Sequence, residues 1–263
     1  MFAGDFHFGS RQCDEVLLRK FVDKYKDAEQ TRIFLMGDEI DAITRLDKRY
    51  TARSMHPRYV EFDNCIDMMT DDLVDILSPL KGKILAGCDS NHNTVYRGYS
   101  GSDIHYRLSQ QLGFERLGYG GWVCILWDWH KKKSSNCNRV RKTVIHITHG
   151  KPTCAITKAG KMAGIERDAW YFNSDIMVHG HTHLLATPPA NIFFEPIAGK
   201  GTYIKKKQRL MNSGSFLKSY SVDSDHSPYS EWKRYPPIDM GWGVAEIEFR
   251  DGEPHITTLT KEY

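Results

Sequence analysis

The 263-residue chain has no C-x-x-C pair, and its six cysteines (Cys13, Cys65, Cys88, Cys124, Cys137 and Cys154) are scattered. That spacing excludes a zinc ribbon and a disulfide framework, and it reads as reduced thiols in an intracellular, cytoplasmic compartment. No apolar run approaches the roughly 20 residues that cross a bilayer, and no basic-then-apolar leader opens the chain. There is no internal repeat and no low-complexity segment, so solenoids and linker-like chains are set aside. Charge of one sign is also lacking. The net charge of +3 says nothing about partners as a whole. Hydrophobic content of 40% and charged content of 26% are ordinary for a soluble globular chain, and the length suits one domain over residues 1–263 with a sizeable core. The opening Met1-Phe2-Ala3-Gly4 before Asp5 reads as a core strand cut to a stub, with its start upstream.

What is present centres on Val178-His179-Gly180-His181-Thr182-His183, directly after the apolar run Ile176-Met177-Val178. On extended backbone, residues two apart point the same way, so His181 and His183 would face one site. Gly180 would let the backbone pass close to whatever they hold. Neutral imidazole is the commonest metal ligand. Three surface histidines on a loop is the plainer alternative, and this stretch alone only tips the balance toward metal.

In chain order, Phe2 to Gly9 is a short apolar lead-in that contains Asp5 and His7. Leu17, Leu18, Phe21, Val22 and Tyr25 follow helical spacing. Ile33 to Met36 is a buried strand that runs into Gly37-Asp38-Glu39-Ile40-Asp41. Pro57 suits the first turn of a second helix, whose core stripe is Phe62, Ile66, Met69, Leu73 and Ile76. A third strand, Lys83 to Gly87, precedes Cys88-Asp89-Ser90-Asn91-His92, and alternating strand and helix imply parallel βαβ units. A helix is expected around 104–112, then a hairpin of two β-rich runs, 122–129 and 140–148, the second leading to His149-Gly150. Residues 155–172 read as helical. Beyond 175 only strands are expected: 175–179, 192–196, 202–206, 209–213, 242–249 and 255–260. The region 219–240 reads as a long loop, and such loops are often functional.

Five segments thus end, at or just past a strand's carboxyl end, in groups able to bind metal. They are Asp5 with His7, Asp38, Asn91, His149, and His181 with His183. In α/β sheets ligands bind beyond those carboxyl ends. A single Asp after a strand is usually a turn former, but five segments at matching positions are hard to obtain by accident. Seven ligands with one bridging carboxylate would serve two ions. The mixed nitrogen and oxygen donors fit manganese, iron, zinc or magnesium without selecting among them.

In order, these residues spell D-x-H, G-D-x-x-D, N-H, H-G and G-H-x-H. That set resembles the signature of the calcineurin-like metallophosphoesterases, across roughly residues 5–183, in a short form similar to phage and prokaryotic members. The resemblance implies an α/β fold: a four-layer α/β/β/α sandwich of two mixed sheets with flanking helices. It implies two divalent ions, manganese ahead of iron, zinc or magnesium. Asp5, His7 and His183 would hold one ion, and Asn91, His149 and His181 the other, with Asp38 between them. His92 would be the catalytic acid, oriented by Asp41. The third motif departs from the family pattern, because Cys88-Asp89-Ser90 separate Gly87 from Asn91. Asn91 is preferred to Asp89 because only that choice leaves an adjacent histidine.

The implied enzyme is a metal-dependent phosphoester hydrolase. Two neighbouring ions would supply an activated hydroxide for in-line attack at phosphorus and would neutralise charge on the phosphoryl oxygens. An arginine would clamp a non-bridging oxygen. Arg97 is the first candidate and Arg45 the second, with a surface arginine as the plain alternative. Lys131, Lys132, Lys133, Arg139, Arg141 and Lys142 form one basic cluster; Lys200, Lys205, Lys206, Lys207 and Arg209 form another. They read either as solvated hairpin tips or as a phosphate-backbone track for nucleic acid. The expected activity is a phosphodiesterase acting on nucleic acid. A phosphomonoesterase, including a protein phosphatase, is the alternative, and a non-catalytic metal-binding scaffold comes after it.

Overall fold

The structure, a computed structural model, describes residues 1–51, 53–129, 139–151, 153, 156–220 and 228–262. In chain order the elements are β1 (Phe2–Ala3), α1 (Glu15–Tyr25), β2 (Ile33–Leu35), α2 (Cys65–Leu77), β3 (Ile84–Gly87), α3 (Asn91–Ser100), α4 (Ile104–Leu112), β4 (Glu115–Arg116), β5 (Gly120–Trp129) and β6 (Arg139–Thr148). Then follow α5 (Lys158–Ala169), β7 (Ile176–His179), β8 (Leu185–Ala186), β9 (Asn191–Ile197), β10 (Thr202–Ser213), α6 (Tyr229–Trp232), β11 (Gly241–Arg250) and β12 (Glu253–Glu262).

Among the described residues, the strands form two mixed sheets. The first runs β12-β11-β1-β2-β3-β4. Its β1, β2, β3 and β4 are parallel, and β11 joins β1 antiparallel. The second runs β5-β6-β7-β10-β8, with β9 paired to the first half of β10. Here β6, β7 and β10 are parallel, with His179 in register with Thr148 and with Asn212. All three therefore deliver their carboxyl ends to the same edge. This is the expected layering of two mixed sheets between helices.

Side-chain alternation builds the layers. Phe2, Phe34, Met36, Ala86 and Cys88 from the first sheet meet Ile145, Ile147, Ile176, Val178 and Met211 from the second. The outer side of the first sheet is covered by helices; α1, α2 and α4 bury Leu17, Phe21, Met69, Leu73 and Leu108 there. The outer side of the second meets α5, where Ile165 and Ala169 pack on Met177 and Leu210. Each large side chain so buried contributes roughly 1.5–3 kcal/mol. Among the described residues no helix is long and apolar enough to cross a membrane. Cys13, Cys65, Cys88 and Cys124 are free thiols; Cys137 and Cys154 lie outside the described residues.

Several elements differ from expectation. Pro57–Tyr59 is a separate single turn, and α2 starts only at Cys65, after Asn64. The residues after β3 form a helix, α3, although Asn, Thr and Gly are poor helix formers. The Ser90 side chain starts it by accepting the Asn93 N–H. The two runs expected at 202–206 and 209–213 are one strand, β10. The long region 219–240 contains α6, and its residues 221–227 lie outside those described.

Asp103 joins three of these elements. It caps α4 by accepting the Tyr106 N–H at 2.9 Å, and it accepts from Arg97 of α3 and Arg116 of β4 at 2.9 and 2.7 Å. Burial pushes its carboxyl up, but the Tyr106 N–H, Arg97 and Asn93 outweigh that and hold it at about 2. A carboxylate depressed in this way stabilises the fold above its ordinary value near 3.8, and the contribution disappears as pH falls through about 2. Asp103→Ala should therefore cost about 1–3 kcal/mol at pH 7, chiefly through the lost cap and ion pairs. Urea midpoints at pH 7 and pH 2 check this: the gap to wild type should close at the lower pH, and a gap equal at both would exclude the linkage.

Candidate metal centre

Five connections leave the shared edge and turn inward. Asp5 and His7 follow β1, Asp38 and Asp41 follow β2, and Asn91 and His92 open α3 after β3. His149 follows β6, and His181 and His183 follow β7. Backbone bonds lock the connections together. Asp5 N–H donates to Gly37 C=O at 2.8 Å, His7 N–H to Asp38 C=O at 2.9 Å, and Gly180 N–H to Thr148 C=O at 3.1 Å.

The turns are unusual in the residues they use. Asp5, His7, Asp38, His181 and His183 all have positive φ, between 46° and 59°. Left-handed backbone is disfavoured for residues with a Cβ, and it concentrates where function over-determines it. This revises the expectation for His181 and His183. They do not alternate on extended backbone, because β7 ends at His179; each is turned to the site by its own left-handed residue. Glycine is required where no Cβ fits. One on Gly37 would stand 2.6 Å from His149 Nδ1, and one on Gly180 2.8 Å from Met36 O.

The ligand-type atoms gather in three groups, each within 4.8 Å: Asp5, His7 and His183; Asp38, His149 and His181; and His7, Asp41 and His92. His183 Nε2 is 3.4 Å from Asp5 Oδ1 and 3.1 Å from His7 Nε2. His149 Nε2 lies 3.2 Å from Asp38 Oδ2 and 2.8 Å from Asn91 Oδ1. Asp38 Oδ2 stands 3.9 Å from His7 Nε2 and 4.0 Å from His181 Nδ1, between the first two groups. Asp89 does not join them, because Ser90 N–H, Asn93 and Arg97 engage its carboxylate.

This donor set fits a cation. His7 Nδ1 faces Asp41 Oδ1 at 3.0 Å, and His149 Nδ1 faces the Met36 carbonyl at 2.8 Å. Both partners can only accept, so each ring's Nδ1 donates and a neutral ring's Nε2 lone pair points inward. Asp5 Oδ1 and His181 Nδ1 are buried with no hydrogen-bond partner. Burial lowers His149, but Asp38 and Asp5 outweigh it and push the ring up to about 9, and Asp41 and Asp38 likewise raise His7, so at these two rings a cation competes with a proton. Burial pushes Asp5 up to about 6. Burial also opposes ionisation of Asp38, yet His92 and His149 hold it well below the carboxylate range. His183 is driven down by burial, then by His7 and His181, which leaves it a neutral donor.

His92 stands beside this array. Its Nδ1 is 3.5 Å from Asp41 Oδ1 and its Nε2 accepts from Arg49 Nη1 at 3.2 Å. Asp41 is thus closer to His7 than to His92, where orientation of His92 alone was expected. Arg97 is not brought to the cavity: Asp89 and Asp103 hold its guanidinium at 3.0 and 2.9 Å. Arg45 lies in a different depression, with Tyr96 and Tyr99. The cationic side chains that line the cavity beside the metal groups include Arg49, which Asp47 holds through two nitrogens, and Lys161. Neither was picked out from the sequence. Lys161 carried one signal, a charge on the apolar stripe shared with Ile165 and Ala169.

The cavity encloses about 290 Å³. His7, Asp38, Asn91, His92, His181 and His183 line it together with the apolar side chains of Ile43, Leu217, Tyr229, Tyr235 and Ile238. The long 219–240 region therefore supplies much of the apolar lining. The basic clusters lie elsewhere. Arg141 and Lys142 sit near the amino end of β6, and Lys205, Lys206 and Lys207 in the first half of β10. At about 3.3 Å per residue they are roughly 20 Å or more from the ligand-bearing edge. Arg141 pairs with Glu253 and Lys206 with Glu195. A basic track running to the site along these residues is not what the fold builds. Arg139 begins β6 at the same remote end, and Lys131, Lys132 and Lys133 lie outside the described residues. Of the nearby aromatics, Trp127 stacks on Phe249 and Tyr203 packs edge-on to Phe194.

No family model matches the chain, and no curated protein matches it. Among solved structures it is similar to Vps29 of Entamoeba histolytica complexed with zinc, at 14% identity, covering 98% of this chain and 97% of that one with a TM-score of 0.42. It is similar to a predicted phosphoesterase of Streptococcus pneumoniae, at 14% identity over 100% and 90% of the two chains, TM-score 0.37. It is also similar to the Pseudomonas putida nuclease MPE, at 9% identity over 86% and 75%, TM-score 0.34. None of these likenesses is close enough to carry a function across.

Asp38 is the carboxylate common to both sides of the centre, so its loss should be felt throughout. Elemental analysis after Mn²⁺ loading and desalting should approach two ions per chain in the wild type. In Asp38→Asn the content should fall below one, and full occupancy in that variant would overturn the assignment of Asp38.

Proposed function

We propose that the chain is a metal-dependent phosphoester hydrolase of the calcineurin-like metallophosphoesterase type. The observation that carries this reading is the convergence of seven ligand-type residues from five connections, with buried donor atoms left unsatisfied at its centre. Asp5, His7 and His183 would hold one divalent ion and Asn91, His149 and His181 a second, with Asp38 serving both. Manganese heads the candidates, followed by iron, zinc and magnesium. When bound, such a pair supplies an activated water for attack at phosphorus and charge neutralisation of the phosphoryl oxygens.

The chain's own residues do the rest. Asp41 accepts from His7 and fixes its tautomer. The Met36 carbonyl does the same for His149. His92 lines the cavity and has no place in the proposed ligand set, so it can reach the leaving oxygen. Burial holds its imidazole down at about 4, with Asp38 and Asp41 pulling the other way. An anionic phosphoryl group adds negative charge beside it, which favours the protonated ring and the proton transfer to the leaving alkoxide. Arg49, whose Nε and Nη2 are held by Asp47, donates from Nη1 to His92 Nε2, and that nitrogen can turn toward a phosphoryl oxygen. Together His92 and Arg49 argue against a scaffold that only binds metal.

A cavity of about 290 Å³ suits a small ester. A phosphodiester of nucleotide size or a strand end fits the phosphodiesterase expectation; a phosphomonoester fits equally well by size. Duplex nucleic acid is less favoured, since Arg141, Lys142 and Lys205 to Lys207 lie roughly 20 Å or more from the ligand-bearing edge.

The test is hydrolysis of p-nitrophenyl phosphate and bis(p-nitrophenyl) phosphate with added Mn²⁺, before and after chelation. Activity lost on chelation and restored by metal is expected; absence of metal-dependent turnover on both would overturn the reading. His92→Ala should lower kcat by about 10²-fold or more on alkyl phosphates, whose leaving groups need a proton. It should lower it much less on p-nitrophenyl esters and leave metal content unchanged. Equal losses on both substrates would exclude the acid role.

A further inference from the structure

Lys161 occupies a position where a charge is costly. It lies one helical turn before Ile165 and two before Ala169, on the α5 stripe that packs against Met177 and Leu210. A lysine there would ordinarily run its stem to water and keep its ammonium solvated. Instead Lys161 is 5% exposed and lines the cavity. Among the described residues no carboxylate pairs with it, and its Nζ stands 6.0 Å from the centroid of the Tyr235 ring. Burial pulls its ammonium below the ordinary lysine value, with the charge of Asp5 opposing. An ammonium drawn away from bulk water without a paired carboxylate is costly, so an anionic ligand entering the cavity would gain by pairing with it.

Arg49, across the same cavity, is already matched by Asp47. Lys218, which also lines it, pairs with Asp14 at 3.3 Å, so of these cavity cations Lys161 is the one without a paired carboxylate among the described residues. We propose that Lys161 binds the substrate's phosphoryl group, donating to a non-bridging oxygen, and thereby sets a preference for phosphate monoesters over diesters. A monoester dianion offers three non-bridging oxygens and, above its second pKa near 6, nearly two charges; a diester offers two oxygens and one charge. The esterified group would then lie against the apolar side chains of Tyr229, Tyr235 and Ile238. This deepens the hydrolase reading and rests on it.

The experiment compares wild type with Lys161→Met, which keeps length and helix propensity, and with Lys161→Arg, which keeps charge. Binding of inorganic phosphate to Mn²⁺-loaded protein is measured by calorimetry. KM and kcat are measured on p-nitrophenyl phosphate and bis(p-nitrophenyl) phosphate, with metal content as control. In Lys161→Met, phosphate affinity should fall and monoester KM should rise on the order of tenfold or more, as expected for one lost charge-assisted hydrogen bond. Diester KM should change by about threefold or less, metal content should hold, and Lys161→Arg should recover part of the loss. Unchanged phosphate affinity in Lys161→Met, or equal losses on both esters, would overturn the proposal. If the methionine variant fails to fold, Lys161→Gln is judged by the same outcomes. A wild type that binds phosphate but hydrolyses neither ester would overturn the hydrolase reading while calorimetry still decides Lys161; a wild type that binds no phosphate overturns the assignment of Lys161.

Discussion

The constraint on which the centre depends is the burial of two carboxylates, Asp5 and Asp38, at the meeting edge of two sheets, at 0% and 2% exposure. Ionised carboxylates without partners do not survive there. The chain surrounds them with imidazoles rather than lysines or arginines, a choice with chemical consequences. Imidazoles can be neutral donors at neutral pH, so the countercharge can be an exchangeable ion instead of a fixed side chain. Asp38 shows the arrangement most clearly: the His149 ring approaches one of its oxygens at 3.2 Å, and the backbone N–H of His92 donates to the other at 3.3 Å.

Placing these groups determines much of the local backbone. The two sheets supply parallel strands ending at one edge, but a strand end alone points its next residues onward, away from the neighbouring sheet. Left-handed residues at Asp5, His7, Asp38, His181 and His183 reverse that direction. Their cost is offset by cross-bonds between connections. His181 N–H donates to Asp5 Oδ2 at 2.9 Å, and Ser215 Oγ donates to the Asp5 carbonyl at 2.9 Å. The second of these brings in the chain after β10, which ties the carboxyl-terminal strands to the centre. Fold and site are in this sense one network, with the apolar layer of Phe34, Met36, Val178 and Met211 beneath it.

The alternation of apolar runs with Asp, Asn, His and Gly made the strand ends and their candidate ligands legible, because both features are local in sequence. What was not legible depends on three-dimensional context. His179 and His181 look alike as letters, yet His179 is still in β7 and faces Asp168 under α5, with 3.3 Å between Nε2 and Oδ2. One residue of strand alternation sends it to the opposite side of the sheet from the inward-facing Val178. The helix α3 escaped notice for a different reason: its composition is poor, and it forms because Ser90 caps it and Asn93 is anchored by Asp89 and by the Ile104 N–H. The single strand β10 reads as two, 202–206 and 209–213, because the polar pair Lys207 and Gln208 interrupts the pattern. The first half of β10 pairs with β9 in an exposed ribbon, where no buried face is needed.

The cationic residues show why nearness in sequence is a poor guide to a site. Arg97 follows His92 by five residues on the same helix. At about 100° per residue their side chains diverge by roughly 140°. Arg97 therefore projects toward Asp89 and Asp103 while His92 faces the cavity. Arg49 is 43 residues from His92 in sequence and 3.2 Å from it in space. Its pairing with Asp47 is local, so the segment can carry its own aligned guanidinium to the cavity without support from the core. Lys161 reaches the same cavity by helical periodicity, from a position the helix would otherwise fill with an apolar side chain. The chain thus lines one cavity with cations from two sources, a loop that neutralises its own cation and a helix whose cation has no carboxylate partner among the described residues.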